Sequence, residues 1–453
     1  MKKLTDILKN TPVREVCGDT AAAIGGLVYD SRAVKPGDCF FAVPGTQSDG
    51  HDYIPMAVEK GAAAIVCERM PADAAEGVAY VLVGDSAGAM ADMAAAFYDY
   101  PSRELKLVGI TGTNGKTTTA TLLYDLVRAM GYKAGLISTV VYKIDGREVE
   151  ATHTTPDSIR LNAMMREMAD AGCAYCFMEC SSHAIVQERT RGLDFAGGIF
   201  SNITHDHLDY HKTFAEYIRA KKLFFDGLPK GAFALTNADD RNGRVMVQNT
   251  AAAVSAYSLR AMADFRCKIV EMHLDGMLLR IDGQELWVGL LGRFNAYNLL
   301  AVYGAAVLLG LDRGEVLRVL SMLHAVSGRF EKIRAANGTT AIVDYAHTPD
   351  ALENVIQTIE EIRTPGQQLI VVCGCGGDRD RTKRPEMAAI AVKYATTAVF
   401  TSDNPRHESP EAILDDMVAG LEPGARYLRI ADRAEAIRTA VMLSRPGDII
   451  LVA

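Results

Sequence analysis

One stretch restricts the possible folds of this chain more than any other: residues 105–132 read LKLVGITGTNGKTTTATLLYDLVRAMGY. An apolar run, a glycine-rich turn and an amphipathic segment follow one another, a pattern typical of a strand, a phosphate-binding loop and a helix. Backbone N–H groups of such a loop surround phosphate oxygens, Lys116 can reach the β/γ-phosphates and the Thr117 hydroxyl can bind Mg²⁺. The usual G-x-x-x-x-G-K-T spacing would place glycine where Ile110 stands. We therefore predict a nucleotide site in an α/β fold, which leaves GTPase, kinase, ATPase and ligase open.

Alternating strand and helix patterns continue on both sides of this loop. Apolar runs that predict buried strands are AGLIST, YCFMEC, GGIFSNI, GAFALTNADD, TTAIVDYAH, QLIVVCGCGG, TAVFTSDNPR and GDIILVA. Such alternation favours a parallel, doubly wound sheet. With 453 residues, and ~150 residues per domain, about three domains are expected. We predict domains at 1–101, 102–330 and 331–453, with a linker at Pro101-Ser102, because proline stops a helix.

Net charge and cysteine content exclude several classes of protein. A formal net charge of −8 and a pI near 5.7 argue against a general nucleic-acid-binding protein. No apolar run reaches ~18 residues and none follows the basic start MKKLTDILKN, so we expect neither a membrane span nor a secretory signal. Nine cysteines, an odd count, favour free thiols in a reducing cytoplasm. Five lie in apolar runs and are predicted to be core thiols rather than metal or redox sites: Cys173, Cys176, Cys180, Cys373 and Cys375.

A second polar cluster follows the predicted strand GGIFSNI. The stretch THDHLDYH contains four potential metal ligands: His205, His207, Asp209 and His211. It comes close to the H-x-H-x-D-H run of binuclear zinc hydrolases, but Tyr210 moves the last histidine one position too far. Because Glu179 ends the preceding predicted strand, we expect the two segments to lie side by side at the nucleotide. Glu179 either binds Mg²⁺ there or is merely solvated, with Ser181 or Ser182 as the N-cap of a helix.

Ten segments occur in one order: GTNGKTTT, TTPDS, MECSSHA, NITHDHLDYH, AKKLF, GRFNAYNLLA, VSGRFE, VDYAHTPDAL, GCGGDRDRTKRP and DNPR. Together they resemble the Mur ligases, the ATP-dependent amide ligases of peptidoglycan precursor synthesis, and the match runs from about residue 27 to the end. The resemblance implies an α/β fold with an N-terminal UDP-sugar-binding α/β domain, a central P-loop parallel-sheet domain and a Rossmann-like C-terminal domain. The early segment DSRAVKPGDCFFAVPGTQSDGHDYI and DNPR are similar to the branch that adds meso-diaminopimelate.

The resemblance also implies a two-step reaction. The D-Glu carboxylate of UDP-N-acetylmuramoyl-L-alanyl-D-glutamate attacks ATP to give an acyl phosphate, and the amine of meso-diaminopimelate then displaces phosphate. Family members use Mg²⁺, expected here as two ions, and a lysine carbamate formed with CO₂. We assign the carbamate to Lys221 rather than Lys222, because Lys221 fills the lysine position of the family's A-K-x-x-[LF] pattern. The catalytic residues so implied are Lys116, Glu179, His207 and Lys221, and the metal ligands are Thr117, Glu179, His207 and Lys221.

Further positions match the family one by one. The resemblance implies an ATP site formed by Gly112, Thr113, Asn114, Gly115, Lys116, Thr117, Thr118, Asn298, Arg329 and Asp344. It implies contacts to the UDP-sugar and its peptide from Ser31, Thr46, Gln47, Ser48, Thr154, Thr155, Ser181, Gln187 and Arg189. It implies an acceptor pocket formed by Arg379, Asp403, Asn404 and Arg406. Since arginine binds carboxylate bidentately, Arg379 and Arg406 favour meso-diaminopimelate, which carries a distal carboxylate, over L-lysine.

Several alternatives stay open. The same ligase reaction with L-lysine is one, and a folylpolyglutamate-synthase-like ligase is another, although the region around Ser31 and DNPR argue against the latter. A zinc hydrolase would follow from the histidines. Relatives continue past DIILVA into a Gly-Lys-Gly-His-Glu stretch, whereas this sequence ends at Ala453. We therefore expect an incomplete acceptor pocket, which leaves open a protein that holds nucleotide without turnover. We expect a cytoplasmic monomer that acts on small molecules.

Overall fold

The computed structural model describes residues 1–45, 48–204, 206 and 208–453. The strands form a two-stranded ribbon and sheets of five, eleven and six strands, and helices pack on the sheets. The protein is thus an α/β protein, as the alternating sequence pattern predicts. Because each predicted range contains one large sheet, we propose domains at 1–101, 102–330 and 331–453.

The first sheet is small and mostly parallel. The strands up to residue 83 are β1 (Lys2–Lys3), β2 (Val13–Cys17), β3 (Ala23–Ile24), β4 (Leu27–Val28), β5 (Cys39–Phe41), β6 (Ala64–Cys67) and β7 (Ala79–Val83). The helices are α1 (Leu4–Ile7), α2 (Ile54–Glu59) and α3 (Ser86–Phe97), with 3₁₀ turns at Ser31–Ala33 and Gly50–Tyr53. The strand order is β2-β7-β6-β5-β4, with β4 to β7 parallel and β2 antiparallel. Strands β1 and β3 form the separate ribbon.

The eleven-stranded sheet has a parallel centre and an antiparallel hairpin at each edge. Its strands are β8 (Lys106–Thr111), β9 (Ala134–Ile137), β10 (Val141–Ile144), β11 (Arg147–Glu150), β12 (Tyr175–Glu179), β13 (Gly197–Phe200), β14 (Phe233–Asn237), β15 (Ala253–Ser258), β16 (Phe265–His273), β17 (Gly276–Ile281) and β18 (Gln284–Val288). The order is β11-β10-β9-β12-β8-β13-β14-β15-β16-β17-β18. The helices are α4 (Lys116–Ala129), α5 (Ser158–Asp170), α6 (Ser182–Val186), α7 (Leu208–His211), α8 (Phe214–Asp226), α9 (Gly243–Val247), α10 (Arg293–Leu308) and α11 (Arg313–Leu320).

The six-stranded sheet completes the fold. Its strands are β19 (Glu331–Arg334), β20 (Thr340–Val343), β21 (Leu369–Cys373), β22 (Thr397–Phe400), β23 (Tyr427–Arg429) and β24 (Ile449–Val452), and its helices are α12 (Pro349–Ile362), α13 (Lys383–Tyr394), α14 (Pro410–Val418) and α15 (Arg433–Leu443). The order is β19-β20-β24-β21-β22-β23, and only β19 is antiparallel to its neighbour among the described strands of this sheet.

The strand order places the glycine-rich loop at the centre of this sheet. Strand β8, which leads into that loop, lies between β12 and β13. The segments that follow β12 and β13 still lie side by side, since His211 Nε2 lies 2.8 Å from the Ser182 hydroxyl. A chain that crosses over its first strand in this way opens a crevice at the carboxyl ends of the strands, where α/β proteins bind ligands.

The predicted linker is a buried turn. Residues Pro101–Glu104 form a 3₁₀ helix, and Pro101 and Ser102 are both buried. The Ser102 hydroxyl accepts a hydrogen bond from the N–H of Asp194 at 3.0 Å. The connection between the first two sheets is thus packed against the central sheet.

The cysteines agree with the prediction of core thiols. All nine are free, and the five in the two predicted groups are buried in β12, in β21 or close to these strands. Burial raises the pKa of the Cys176 and Cys373 thiols well above the usual value, which disfavours the reactive thiolate. As for membranes, none of the described helices combines the length and the apolar character needed to cross one.

Candidate active site

A cleft of about 590 Å³ opens at the carboxyl ends of the central strands and extends to the six-stranded sheet. Sixteen of the predicted site residues line it: Thr113, Asn114, Gly115, Lys116, Thr117, Thr118, Thr154, Glu179, Ser181, Lys221, Asn298, Arg329, Asp344, Arg379, Asp403 and Arg406. Residues predicted to bind nucleotide, peptide and acceptor therefore meet in one cavity.

The glycine-rich loop is held by the segment that follows β13. Gly112 has φ +151°, and a Cβ atom there would lie 1.9 Å from Ser201 Oγ, so only glycine fits. Ser201 Oγ donates to the carbonyl of Asn114 at 2.7 Å. The side-chain oxygen of Asn202 accepts from the N–H of Asn114 at 2.9 Å, and its carbonyl accepts from the N–H of Thr113 at 2.8 Å. These contacts hold the loop in one shape before α4 begins.

Two lysines share one backbone acceptor in this loop. Lys116 Nζ donates to the carbonyls of Gly112 and Thr113 at 2.9 and 2.8 Å, and Lys221 Nζ donates to Gly112 at 2.8 Å. Lys221 is 1% exposed, and its Nζ lies 4.5 Å from the ring centre of Tyr217. Burial lowers the pKa of Lys221 well below its ordinary value, and the neighbouring Lys116 lowers it further. Both effects act against the ammonium form at this position.

The structure separates Lys221 from its neighbour Lys222. Lys222 points to the other side of α8, where its Nζ forms a salt bridge with Asp226 at 2.5 Å. The sequence pattern alone favours a lysine that reaches water along its aliphatic stem. The Lys222 side chain is 11% exposed and paired with Asp226, whereas Lys221 is 1% exposed and faces the loop, so neither extends into water.

Glu179 is a buried acceptor rather than a solvated residue. It is 1% exposed, and its carboxylate accepts from the N–H of Thr139 at 2.7 Å and from the Thr139 hydroxyl at 3.2 Å. Ser181 is the N-cap of α6, since its hydroxyl accepts from the N–H of Ala184 at 3.2 Å. The alternative of a capped helix is thus correct for Ser181, and the alternative of a merely solvated Glu179 is wrong.

The histidine-rich stretch is only partly described. His205, His207 and the side chain of Asp209 lie outside the described part of the chain. His211 is 6% exposed, and its Nε2 lies 2.8 Å from the Ser182 hydroxyl, so it packs against α6. Within the described residues, no three His, Cys, Asp or Glu side chains are arranged to hold a metal.

Arg329 and Asp344 connect the cleft to the six-stranded sheet. Arg329 Nη2 donates to the Thr117 hydroxyl at 3.2 Å, and its guanidinium lies 4.4 Å from the ring centre of Tyr345. Asp344 accepts from the N–H of Phe330 at 2.7 Å. Burial raises the pKa of Asp344 to about 6, although Arg329 acts in the opposite direction. Both residues line the cleft beside the phosphate loop.

Asn298 projects from α10 towards the loop. Its side-chain oxygen occupies the space that a Cβ atom on Gly115 would need, at 2.5 Å, and its amide donates to Asn295 at 3.1 Å. A second contact across the cleft joins the Asn114 amide to Asp350 of α12 at 3.1 Å. The loop is thus enclosed from both neighbouring elements.

The residues predicted to hold the peptide form a chain of hydrogen bonds that begins at Glu179. The Thr155 hydroxyl donates to the Glu179 carbonyl at 2.7 Å and accepts from the N–H of Ser181 at 3.1 Å. Arg189 donates to the Thr155 carbonyl at 2.7 Å and to the Gln187 side chain at 2.6 Å. The hydroxyl oxygen of Thr154, the remaining member, lies 3.1 Å from Thr139 Oγ1.

The residues predicted to hold the uridine are less completely described. Thr46 and Gln47 lie outside the described part of the chain. Ser31 is buried at the start of a 3₁₀ turn, and the Ser48 carbonyl accepts from the N–H of Gly45 at 2.9 Å. Neither of these two serines lines the cleft described above.

The predicted acceptor residues lie on two loops, after β21 and after β22. Arg379, Asp403 and Arg406 line the cleft. Asn404 lies behind them, with its side-chain oxygen 3.3 Å from the N–H of Arg406. Arg406 Nη1 donates to the Gly377 carbonyl at 2.7 Å, which ties the two loops together. Two guanidinium groups thus reach the same end of the cleft.

Three protein-family models match the chain. They are described as "Mur ligase family, catalytic domain" at residues 23–98, "Mur ligase middle domain" at residues 110–306 and "Mur ligase, glutamate ligase domain" at residues 328–453. The chain belongs to the Mur ligase family.

Individual relatives match this Mur ligase over its whole length. A UDP-N-acetylmuramoyl-L-alanyl-D-glutamate–2,6-diaminopimelate ligase of Phocaeicola vulgatus is 55% identical over 453 residues, 100% of this chain and 94% of the relative. The ligase of the same description from Bacteroides fragilis is also 55% identical, covering 100% of this chain and 93% of the relative. A solved structure of a ligase with this description is 30% identical, with a TM-score of 0.73 and coverage of 100% of this chain and 93% of that chain.

The cleft residues of this Mur ligase that the sequence patterns do not single out include Thr139, Ser201, Asn202 and Tyr345. For Ser201 and Asn202 a signal exists, because polar residues directly after a buried strand line the ligand edge of a parallel sheet. Thr139 and Tyr345 act on Glu179 and Arg329 through tertiary contacts, which no local pattern reveals.

Proposed function

We propose that this chain is an ATP-dependent amide ligase that joins meso-diaminopimelate to the D-Glu carboxylate of UDP-N-acetylmuramoyl-L-alanyl-D-glutamate in peptidoglycan precursor synthesis. The family and the descriptions of its relatives support this reaction. The observation that carries the proposal is the single cleft, in which the phosphate loop, the buried Lys221 beside it and the guanidinium pair Arg379 and Arg406 come together.

In the first step, a D-Glu carboxylate oxygen attacks the γ-phosphorus of ATP. The bond from that phosphorus to the bridging oxygen breaks, ADP leaves and an acyl phosphate remains. Positive charge must surround the transferred group as its bonds rearrange. We propose that Lys116 and Arg329 supply it, and that the loop from Gly112 to Thr118 binds the phosphates through its N–H groups. Asn298 and Asp344 complete the proposed ATP site.

We propose that Mg²⁺ is held by Thr117, Glu179, His207 and Lys221, with two ions in the site. The described residues fit this group, because Glu179 is a buried carboxylate and Mg²⁺ prefers oxygen ligands. When bound, the metal would neutralise charge on the phosphates. An ammonium at Lys221 would repel it, but a carbamate would not.

Lys221 is suited to carbamylation. The neutral amine adds to CO₂, forming a nitrogen–carbon bond and releasing one proton, and only an amine with a low pKa is neutral near pH 7. Burial and the neighbouring Lys116 lower the pKa of Lys221 in that direction. The product carries two oxygens and a negative charge at a position that faces the loop.

In the second step, the acceptor amine attacks the acyl carbon and phosphate leaves. We propose that Arg379, Asp403, Asn404 and Arg406 hold the acceptor, with the two guanidinium groups on its distal carboxylate. L-lysine lacks that carboxylate and would leave both charges unpaired. We further propose that Ser31, Thr46, Gln47 and Ser48 hold the uridine end of the other substrate, and that Thr154, Thr155, Ser181, Gln187 and Arg189 hold its peptide. Enclosure by both neighbouring elements would keep the acyl phosphate from water.

Phosphate release provides the test. The assay uses this chain and, in parallel, a version extended by the Gly-Lys-Gly-His-Glu segment that the family resemblance predicts. We expect release that requires ATP, the UDP-dipeptide and meso-diaminopimelate together. Equal release with L-lysine would contradict the acceptor assignment, and release without any UDP-sugar would contradict the reaction.

We propose a cytoplasmic location for this ligase. Its free thiols are consistent with that location.

A further inference from the structure

Arg384 is a fully buried arginine to which neither of the proposed reaction steps assigns a role. It lies in the first turn of α13 and has 0% exposure. Its Nη1 donates to Glu408 at 3.0 Å and to Asp416 at 2.7 Å, and its Nη2 donates to Glu408 at 2.8 Å and to the Gly376 carbonyl at 3.2 Å. The guanidinium therefore binds Glu408 with both terminal nitrogens, a geometry that lysine cannot reproduce.

Glu408 collects further contacts from the loop after β21. Its carboxylate accepts from the N–H of Asp378 at 2.6 Å and from the exposed Arg381 at 2.8 Å. Hydrogen bonds from Arg384 are the largest cause that lowers the pKa of Glu408 to about 2, so the carboxylate is charged at neutral pH. One ion pair thus connects α13, the loop after β21 and the loop after β22.

These two loops carry Arg379 and Arg406, and close contacts between the loops restrict the backbone of both. A Cβ atom on Gly377 would lie 1.9 Å from the Pro405 carbonyl oxygen, and the N–H of Gly377 donates to the Asn404 carbonyl at 2.9 Å. Asp378 and Arg406 both have φ near +50°, which is unfavourable for residues with a side chain. Such conformations persist only when surrounding contacts enforce them.

We propose that Arg384 and Glu408 are positioning residues that set the separation of Arg379 and Arg406 and thereby the preference for an acceptor with a distal carboxylate. Neither Arg384 nor Glu408 lines the cleft, so both act through the loops and not by touching substrate. The role rests on the proposed function, because it presupposes that the guanidinium pair binds the acceptor.

Glu408→Gln tests this role, since glutamine has the same length and loses only the charge and one acceptor. A displacement of about 1 Å at a binding group can cost up to about a hundredfold, so we expect the KM for meso-diaminopimelate to rise at least about tenfold. The KM values for ATP and the UDP-dipeptide should stay at the wild-type level, and the preference over L-lysine should narrow. Arg384→Lys should give the same pattern, because it keeps the charge but not the fork.

The double variant Arg384→Met/Glu408→Gln separates positioning from folding. It leaves no unpaired charge at the pair itself, so its thermal midpoint should lie above that of Arg384→Met alone, while its KM for meso-diaminopimelate should stay raised. Arg381→Ala is the matched control, because Arg381 binds the same carboxylate from the surface and should keep the wild-type KM.

The outcomes distinguish the two proposals. If the wild-type chain, with or without the extension, releases no phosphate in response to meso-diaminopimelate, the proposed function is wrong and this role falls with it. If the wild type responds but Glu408→Gln and Arg384→Lys keep its KM, only the positioning role is wrong. The same conclusion follows if the KM values of all three substrates rise together.

Discussion

Two buried cations in this protein have opposite surroundings. Lys221 is 1% exposed and donates to one backbone carbonyl, and none of the described carboxylates forms a salt bridge with it. Arg384 is 0% exposed and faces the carboxylates of Glu408 and Asp416 at 2.8 and 2.7 Å. The first lies in the cleft beside the phosphate loop, and the second lies behind the acceptor loops.

The contrast separates a reactive position from a supporting one. Burial makes a charge without an ion-pair partner unfavourable, and for this reason burial lowers the pKa of Lys221. A buried charge with two hydrogen-bonded carboxylates is retained as a charge and holds its neighbours in place. A neutral amine next to a phosphate site is available for chemistry, whereas a paired guanidinium is not.

Removing Lys221 should give the largest effect on turnover. We expect Lys221→Ala to lower kcat by about a hundredfold to a thousandfold, because the variant loses the oxygen ligand that a carbamate would supply at the phosphates. A short carboxylic acid such as propionate should restore part of the rate by occupying the vacated space. Phosphate release at saturating substrates measures both.

Lys222→Ala is the matched control for this experiment. Lys222 is the next residue on α8 and binds Asp226 on the helix surface, so its loss should leave turnover unchanged. Full activity in Lys221→Ala, or equal losses in both variants, would contradict the distinction between a reactive and a supporting lysine.

Methionine substitutions should change stability in opposite directions at the two cations. Arg384→Met leaves Glu408 and Asp416 without their buried partner and should lower the free energy of unfolding by on the order of 3 kcal/mol. Lys221→Met removes an amine whose protonation is opposed by burial, and should raise the free energy of unfolding at pH 7. Urea-unfolding midpoints in CO₂-depleted buffer provide the measurement.

The stability of Lys221→Met relative to the wild type should depend on pH. The pKa of Lys221 is lower in the folded protein than in the unfolded chain, so the unfolded chain binds more protons and the wild type gains stability as the pH rises towards 10.5. Methionine does not titrate. The advantage of Lys221→Met should therefore be larger at pH 7 than at pH 9, and an advantage that grows with pH would contradict the neutral-amine assignment.

Local sequence patterns predict the phosphate loop better than they predict which lysine of α8 lies in the cleft. The strand, loop and helix around Lys116 follow directly from hydrophobic periodicity and glycine placement, and β8 and α4 lie where these predict them. The family pattern, and not residue type, distinguishes Lys221 from Lys222 in the sequence, since residue types alone favour a lysine that extends to water. Burial on one side of α8 and an ion pair on the other now distinguish them.

Other features depend on contacts that no short stretch contains. The position of β8 between β12 and β13 follows from how the chain crosses over the sheet. Arg384 lies in the polar run DRDRTKRP, which reads as an exposed basic surface. Only the packing of α13 against α14 reveals that this arginine is enclosed.

Asp344 combines features of both cations, because a charged neighbour lies close to it and its pKa is nevertheless shifted. It is a partly buried carboxylate near Arg329, but desolvation outweighs that charge and the N–H of Phe330, and it raises the pKa of Asp344 from 3.8 to about 6. Because the folded pKa is raised, the stability that the protonated form contributes is complete below pH 3.8 and is lost as the pH rises through 6.

Asp344→Asn should remove this dependence, because asparagine keeps an acceptor for Phe330 and does not titrate. Relative to the wild type, the variant should gain on the order of 2 kcal/mol in free energy of unfolding between pH 4 and pH 7.5. Urea unfolding of both proteins across that range measures the difference. A difference that stays constant with pH would mean that Arg329 pairs Asp344 as fully as Glu408 and Asp416 pair Arg384, and the carboxylate would then belong with the supporting charges.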